Sequence, residues 1–334
     1  MLDTKIADPV LLLVDDEPAN LRVLKQLLSS QYQLVFARDG HEALEIASSR
    51  KPDLILLDVM MPGMTGFEVC ESLKNNEVTE HIPVIFVTAL NDDMDEARGF
   101  EVGAVDYITK PISPAVVKAR VKTHLSLVRA EALMESRLHV VQRLGRAAEY
   151  KDNETGMHVM RMSHFSKELA LAYGLSEEQA TTLLHAAPMH DIGKIGIADS
   201  IMLKPGKLTD EEFKDMQRHP EIGAEIIGDC GDSLLLKVAK SVSMTHHEKW
   251  DGTGYPKGLK GEEIPIEGRI CALADVFDAL TSKRPYKEAW SIEKAVEFIQ
   301  SQKGKHFEPK LVDLLIAMLP KIIEIKETFK EEGE

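Results

Sequence analysis

The chain has 334 residues, 44% of them apolar and 28% charged, with a formal net charge of −15. That length suggests about two domains, each able to bury a core, and the acidic balance argues against DNA as a partner. Cys70, Cys230 and Cys271 are too few and too scattered for a disulfide framework or a thiolate zinc site. No apolar run approaches the roughly 20 residues that span a bilayer, and Met1-Leu2-Asp3-Thr4-Lys5 does not open a signal peptide. A cytoplasmic protein without a membrane partner is expected.

In chain order, residues 10–14 read as a strand, 18–29 as a helix and 33–36 as a strand. A helix follows at 40–49, a strand at 53–57 and a helix at 66–74. Then come a strand at 82–87, a helix at 92–101, a strand at 105–108 and a helix from about Ser113. The strands are near-continuous runs of Val, Ile and Leu, the pattern of a parallel sheet covered by helices on both faces. Residues 8–128 are therefore expected to form a doubly wound, five-stranded α/β domain.

Ligand sites in such sheets lie beyond the carboxyl ends of the strands. Asp15 and Asp16 follow the first strand, Asp58 ends the third, Thr88 ends the fourth and Lys110 follows the fifth. Three converging carboxylates repel one another unless a hard cation such as Mg²⁺ lies among them. Lys110 and Thr88 bring a positive charge and a hydroxyl to where an incoming phosphoryl group needs stabilising. One carboxylate can then act as nucleophile and become an aspartyl phosphate. Acidic residues after strands also serve as plain helix N-caps, but capping does not account for all five positions.

The runs Val14-Asp15-Asp16-Glu17, Leu57-Asp58-Val59-Met60-Met61-Pro62-Gly63, Thr88-Ala89 and Lys110-Pro111 make residues 10–128 resemble the receiver domain of two-component response regulators. The resemblance implies Asp58 as phosphoacceptor and Mg²⁺ held by Asp16, Asp58 and the backbone carbonyl of Met60, with Asp15 completing the acidic pair. It places Thr88 and Lys110 in the active site, Tyr107 at the switch-aromatic position, and a sensor histidine kinase as partner.

From Ser113 to about Glu149 only Gly145 interrupts helix-forming sequence. Val117, Val121, Leu125, Val128 and Ala132 mark a helical face that Leu138, Val141, Leu144 and Ala148 continue. One long helix, or two in tandem, with residues 129–147 as linker, is expected to couple two domains. His124 and Glu135 break the heptad, so a core-packing helix and a coiled coil forming a homodimer both fit.

Residues 148–330 are expected to be all-α, with helices near 157–173, 177–190, 210–217, 220–229, 233–247, 267–281, 291–303 and 309–328. Capping boxes at Ser176-Glu177-Glu178-Gln179 and Thr209-Asp210-Glu211-Glu212 place two of the starts. Glu154 and His158 are four apart and share a face if the helix includes Gly156. His190-Asp191 end a helix before Ile192-Gly193-Lys194, His219 precedes Pro220, and His246-His247 end another helix. Asp275 lies in the apolar stretch 271–275, where an ionised carboxylate needs a partner.

Each histidine alone reads as an ordinary surface or core residue. Five of them with three carboxylates and no cysteine suit hard or borderline ions, Fe or Mn ahead of Zn, Ni or Mg. Neighbours on a helix point about 100° apart, so His246 and His247 are not expected to serve one ion easily, which favours a cluster. Closely spaced ions activate water and stabilise both oxygens of an in-line phosphoryl displacement.

Together with His190-Asp191, the runs His246-His247-Glu248, Asp251-Gly252-Thr253-Gly254-Tyr255-Pro256, residues 274–281 and Arg284-Pro285-Tyr286 resemble the HD superfamily of metal-dependent phosphohydrolases. The narrower resemblance, over residues 147–325, is to its HD-GYP subfamily, which hydrolyses cyclic di-GMP to pGpG or onward to GMP. It implies His158, His190, Asp191, His219, His246, His247 and Asp275 as ligands, Asp191 as the catalytic bridge between two ions, and Lys194 on the scissile phosphate. Glu154 sits where trinuclear members carry a Glu, so two or three Fe or Mn ions are expected.

Tyr255, Arg284 and Lys287 are candidate substrate contacts; a surface salt bridge is the other reading of Arg284. Asp278 is a candidate to orient a ligand. The whole reads as a response regulator in which phosphorylation of Asp58 controls a cyclic di-GMP phosphodiesterase. One alternative is a phosphodiesterase for another cyclic dinucleotide such as cyclic GMP-AMP, because the ions act on phosphate rather than base. The other is a non-hydrolytic module that binds a cyclic dinucleotide or a partner such as a diguanylate cyclase.

Overall fold

A computed structural model describes residues 8–89, 93–151, 156–283 and 288–330. The chain divides into two compact units, Met1–Met134 and Glu135–Glu334. The first alternates β1 (Val10–Val14), α1 (Pro18–Leu28), β2 (Gln33–Ala37), α2 (Gly40–Arg50), β3 (Leu54–Asp58), α3 (Gly66–Lys74), β4 (Val84–Thr88), α4 (Asp93–Glu101) and β5 (Asp106–Thr109), and ends in the first part of α5 (Pro114–Lys151). The strands are parallel in the order β2-β1-β3-β4-β5. The order reverses between β1 and β3, which opens a crevice at their carboxyl ends.

Alternation of side chains explains how a continuous apolar strand serves two cores. Leu12, Val14, Ile55, Leu57 and Phe86 pack with Ala43, Ala47, Val69 and Leu73 of α2 and α3. Their neighbours Leu11, Leu13, Leu54, Leu56 and Val87 pack with Leu24 and Leu28 of α1 and with Val117, Val121 and Leu125 of α5. Each such burial is worth about 1.5–3 kcal/mol. β4 starts at Val84 rather than Ile82; Pro83, just before it, has no amide hydrogen for the ladder.

The second unit is helical. After the end of α5 come α6 (Gly156–Tyr173), α7 (Glu177–Ala186), 3-10 turns at Ala187–Met189 and Ile192–Gly196, α8 (Asp199–Met202), α9 (Asp210–Met216) and α10 (His219–Ile227). They continue with α11 (Leu234–Thr245), a 3-10 turn at Gly261–Glu263, α12 (Ile266–Thr281), α13 (Ile292–Ser301), α14 (Pro309–Ala317) and α15 (Leu319–Thr328). Both expected capping boxes form, at Ser176 with Gln179 and at Thr209 with Glu212. Phe165, Leu169, Leu183, Val242, Leu273, Phe277, Leu311 and Leu315 anchor the core.

Three boundaries differ from expectation. The helix expected to reach residue 190 ends at Ala186, where Pro188 forces a 3-10 turn. The helix expected over 309–328 is two, because Pro320 sits in the first turn of α15 and cannot continue α14. α11 stops at Thr245, two residues short. The segment from Ser113 is one helix through Gly145 rather than two in tandem. Among the described residues, no helix is long and apolar enough to cross a membrane.

Candidate active site

In the first unit, the crevice between β1 and β3 brings the expected carboxylates together: Asp15, Asp16 and Asp58 each offer an oxygen within 4.8 Å of the others. Asp15 is fixed by the Glu17 amide (2.9 Å) and the Asn20 side chain (3.0 Å), both donating to its Oδ1. Lys110 donates to Asp15 Oδ2 at 2.9 Å and to Asp58 Oδ2 at 2.7 Å. Burial pushes the Asp58 carboxyl above its ordinary value, and the Lys110 hydrogen bond and charge only partly offset this. An all-oxygen set of this kind suits a hard divalent cation.

Met60 turns its side chain to solvent (61% exposed), while its amide donates to Asp58 Oδ1 at 3.3 Å. Thr88 is buried at the end of β4, and its carbonyl accepts from the Lys110 amide at 2.7 Å. The Lys110-Pro111 peptide is cis. Tyr107 lies edge-on to Phe100 and has the Arg120 guanidinium 5.4 Å from its ring centre.

In the second unit, the breaks in the helices build the site. His190 and Asp191 sit in the gap between the two 3-10 turns, His219 is the first residue of α10, and His246 caps α11. His158 lies in the first turn of α6 and Asp275 in the middle of α12. Nδ1 of His190 faces the Ala187 carbonyl (3.1 Å), that of His219 the Met216 carbonyl (2.8 Å), and that of His246 the Val242 and Ser243 carbonyls (both 3.1 Å). A ring nitrogen against a carbonyl oxygen must carry the hydrogen. Each ring is thereby locked with Nε2 as the lone-pair end.

Those ends converge on Asp191. Its Oδ1 is 3.1 Å from His219 Nε2 and 3.5 Å from His246 Nε2, and its Oδ2 is 3.2 Å from His190 Nε2 and 2.8 Å from Lys194 Nζ. The expectation that His246 and His247 cannot easily serve one ion is overturned. Asp191, His219, His246 and His247 each offer a donor atom within 4.8 Å of the rest. The helical angle does not apply, because α11 has ended before His247.

Asp275 Oδ1 lies 3.4 Å from His158 Nε2. Nδ1 of His158 faces Asp278 Oδ2 at 2.8 Å, and Asp278 is gripped by Arg161 through Nε (2.7 Å) and Nη2 (3.0 Å). Asp278 thus orients His158, as its position suggested. Arg161 was not foreseen; its one signal is a place one turn after His158 on the same helix face.

A cavity of about 220 Å³ is lined by Asp191, Lys194, His219, His247, Tyr255 and Asp275, among others. Tyr255 stacks on His247 with ring centres 4.7 Å apart, so one of its faces is already occupied. Its loop is held by Glu248, a second unforeseen residue, whose buried carboxylate accepts from the amides of Lys257 (2.7 Å) and Leu259 (3.0 Å). Glu154, Arg284 and Lys287 lie outside the described residues.

Residues 11–122 match the response regulator receiver domain family, and residues 133–311 match the HD domain family. The chain belongs to the HD domain family, with a receiver domain ahead of it. It is 42% identical to a protein of Vibrio cholerae named probable cyclic di-GMP phosphodiesterase, over 96% of this chain and 80% of that one. It is 39% identical to the cyclic di-GMP phosphodiesterase response regulator RpfG of Xanthomonas campestris, over 92% of this chain and 86% of the relative. A further Vibrio cholerae protein, named 3'3'-cGAMP-specific phosphodiesterase 2, is 48% identical over 58% of this chain and 37% of its own length.

HD domains imply divalent metal, and the donors here fit it. Nε2 of His190, His219 and His246 and Oδ1 of Asp191 are buried without a hydrogen-bond partner among the described residues. Lone pairs facing a carboxylate at these distances repel unless a cation or proton lies between them. Burial holds His246 and His247 below the ordinary histidine value, with neighbouring imidazoles adding to it, so both favour the neutral, metal-binding form. Burial opposes protonation of His190 as well, yet the negative charge of the adjoining Asp191 carboxylate lifts it to about 9. His158 is likewise raised against burial, by Asp275 and Asp278. A cation on that side takes the place of a proton.

The sequence also passed over Glu149, whose carboxylate lies with His158 and His190 in a second group of donors, all within 4.8 Å. The first group depends on one close approach: a Cβ on Gly193 would lie 1.8 Å from the His219 carbonyl oxygen. Gly193→Ala is therefore expected to cost about 1–3 kcal/mol of stability through overpacking. A crystal structure of the variant should show His219 Nε2 and Asp191 Oδ1 further apart than 3.1 Å. Unchanged stability with that distance retained would contradict this account.

Proposed function

We propose that this chain is a phosphorylation-regulated phosphodiesterase that hydrolyses cyclic di-GMP to pGpG, GMP or both. The observation that carries this reading is the double engagement of Asp191: Oδ1 faces His219 and His246 while Oδ2 faces His190 and Lys194. In this reading Asp191 would be shared between two ions, one held with His158, His190 and Asp275 and the other with His219, His246 and His247. Fe or Mn suits the nitrogen and oxygen donors, and Glu154 is assigned to a third ion. When bound, such ions neutralise charge on phosphodiester oxygens and lower the pKa of water between them.

The chain's own residues then position the substrate. Lys194, held by its 2.8 Å pair with Asp191, puts an ammonium beside the scissile phosphate. Burial drives the Tyr255 phenol well above its ordinary value and keeps it neutral, so the ring offers guanine a surface without adding charge. At about 220 Å³ the cavity is smaller than the 300–1,000 Å³ typical of small-molecule pockets. It suits a phosphodiester and its adjoining sugar, and Arg284 and Lys287 are candidates on sequence grounds for the rest of the dinucleotide. The names of the relatives support cyclic di-GMP, and one of them supports cyclic GMP-AMP as the rival.

The receiver domain implies a phosphodonor such as a histidine kinase. Asp58 is assigned as phosphoacceptor, with Mg²⁺ on Asp16, Asp58 and the Met60 carbonyl. A phosphoryl group on Asp58 draws on Lys110, now shared with Asp15, and on Thr88. Tyr107, packed against Arg120 of α5, then passes the change to that helix.

Anaerobically purified protein is expected to linearise cyclic di-GMP faster than cyclic GMP-AMP, with elemental analysis of the same sample giving two or three ions per chain. Both dinucleotides recovered intact by chromatography from metal-loaded protein would reject the phosphodiesterase reading. Lys194→Ala should lower kcat by about 10²–10³-fold, the loss typical of a group that stabilises developing charge, with the metal count retained. A kcat near wild type would remove Lys194 from the phosphate. Asp58→Ala should abolish the response of the activity to a small-molecule phosphodonor at unchanged metal content, and a retained response would break the proposed coupling.

A further inference from the structure

Glu149, in the last turn of α5, is a buried carboxylate that the proposed mechanism leaves unused. Its side chain is completely buried, and neither carboxylate oxygen has a hydrogen-bond partner among the described residues. Its nearest ionisable neighbour is His190, with Nε2 3.9 Å from Oε1, beyond hydrogen-bonding reach. Lys151 and Lys194 are engaged elsewhere: Lys151 donates to the carbonyls of Ile195 (2.8 Å) and Ile197 (2.5 Å), and Lys194 pairs with Asp191. An unpaired buried carboxylate is too costly to keep without a partner.

The position is built rather than incidental. Gly145, one turn earlier, lets α5 lie against the 3-10 turn that carries His190; a Cβ there would sit 2.3 Å from the Pro188 carbonyl oxygen. Lys151 ties the helix end to the following 3-10 turn. Between these two anchors Glu149 is brought to His158 and His190, with one donor atom from each within 4.8 Å.

We propose that Glu149 is itself a metal ligand, holding one divalent cation with the imidazoles of His158 and His190. This rests on the metal-centre reading above and adds to it an oxygen donor from the helix that begins in the first unit. The full-length chain, stripped with chelator and titrated with Mn(II), tests it by elemental analysis. Glu149→Gln keeps the shape and removes the charge. The variant is expected to hold one Mn(II) fewer per chain, or to bind it at least about tenfold more weakly, the lower end of what even an outer partner of a metal ligand contributes. The same count at the same affinity overturns the proposal.

Hydrogen exchange on the wild-type chain gives a second reading that does not need the variant to fold. Mn(II) is expected to slow exchange of the last-turn amides, residues 148–151, at least about tenfold; unchanged exchange overturns the proposal. Both measurements are made without nucleotide. A chain that binds Mn(II) through Glu149 but leaves cyclic di-GMP intact would refute the phosphodiesterase and not this ligand. Hydrolysis together with an unaltered Mn(II) count in Glu149→Gln would do the reverse.

Discussion

The second unit is organised around an electrostatic conflict at Asp191. Three imidazole lone-pair ends lie 3.1, 3.2 and 3.5 Å from its carboxylate, all under the protein surface. The rings cannot turn away, because each Nδ1–H is tied to a backbone carbonyl within four residues of its own position. The helices break close by, α7 before Pro188, α9 before His219 and α11 at Thr245, and the Ala187 and Val242 carbonyls take the ring in addition to the backbone amide of the same histidine. Sequence breaks therefore become ligand orientation, and ligand orientation becomes a demand for positive charge. Burying such groups unpaired costs several kcal/mol each, and a cation that returns this ties folding stability to metal binding.

The receiver crevice faces a related demand and meets it differently. Its three carboxylates have an internal counter-charge, since Lys110 bridges Asp15 and Asp58 with contacts of 2.9 and 2.7 Å. A single ammonium on a flexible stem can be shared among changing partners. That suits the phosphorylation proposed at Asp58. In the HD unit Asp191 instead faces rigid imidazole nitrogens that call for a cation, with the flexible Lys194 ammonium 2.8 Å away. The first site is arranged to change its state, and the second to hold one.

Much of this was legible in the sequence, and the failures share a cause. The alternation of Leu11, Leu12, Leu13 and Val14 between two cores follows from a period of two, so sheet, strand ends and crevice residues could all be read locally. Asp275 stood out as a carboxylate in an apolar stretch, whereas His158, His190, Asp191 and His219 could be singled out only jointly and through the family resemblance, since each histidine alone reads as an ordinary residue. The shared reach of His246 and His247 was not, because it depends on α11 ending at Thr245, two residues before periodicity suggested. Arg161, Glu248 and Glu149 were missed because a charged residue on a helix or loop reads by default as solvated. Glu149 directly follows Ala148 of the apolar face. Only the docking of α5 at Gly145 decides that it is buried too.

The donor set also bears on which ions the fold can favour. Cys271 is one helical turn before Asp275 on α12, close enough to bring sulfur toward the centre. Burial instead pushes its thiol up to about 12, and it packs against Ser166 with Oγ and Sγ 3.6 Å apart. A thiol so far from ionising is a poor ligand. Among the described residues the centre is left with imidazole nitrogen and with oxygen from Asp191, Asp275 and Glu149. Such a set does not single out one metal by softness. Selection then falls to the number of carboxylates, because each added oxygen donor moves preference toward harder ions. Glu149 as a ligand thus carries weight beyond its own bond: with it the His158–His190 side holds one more carboxylate.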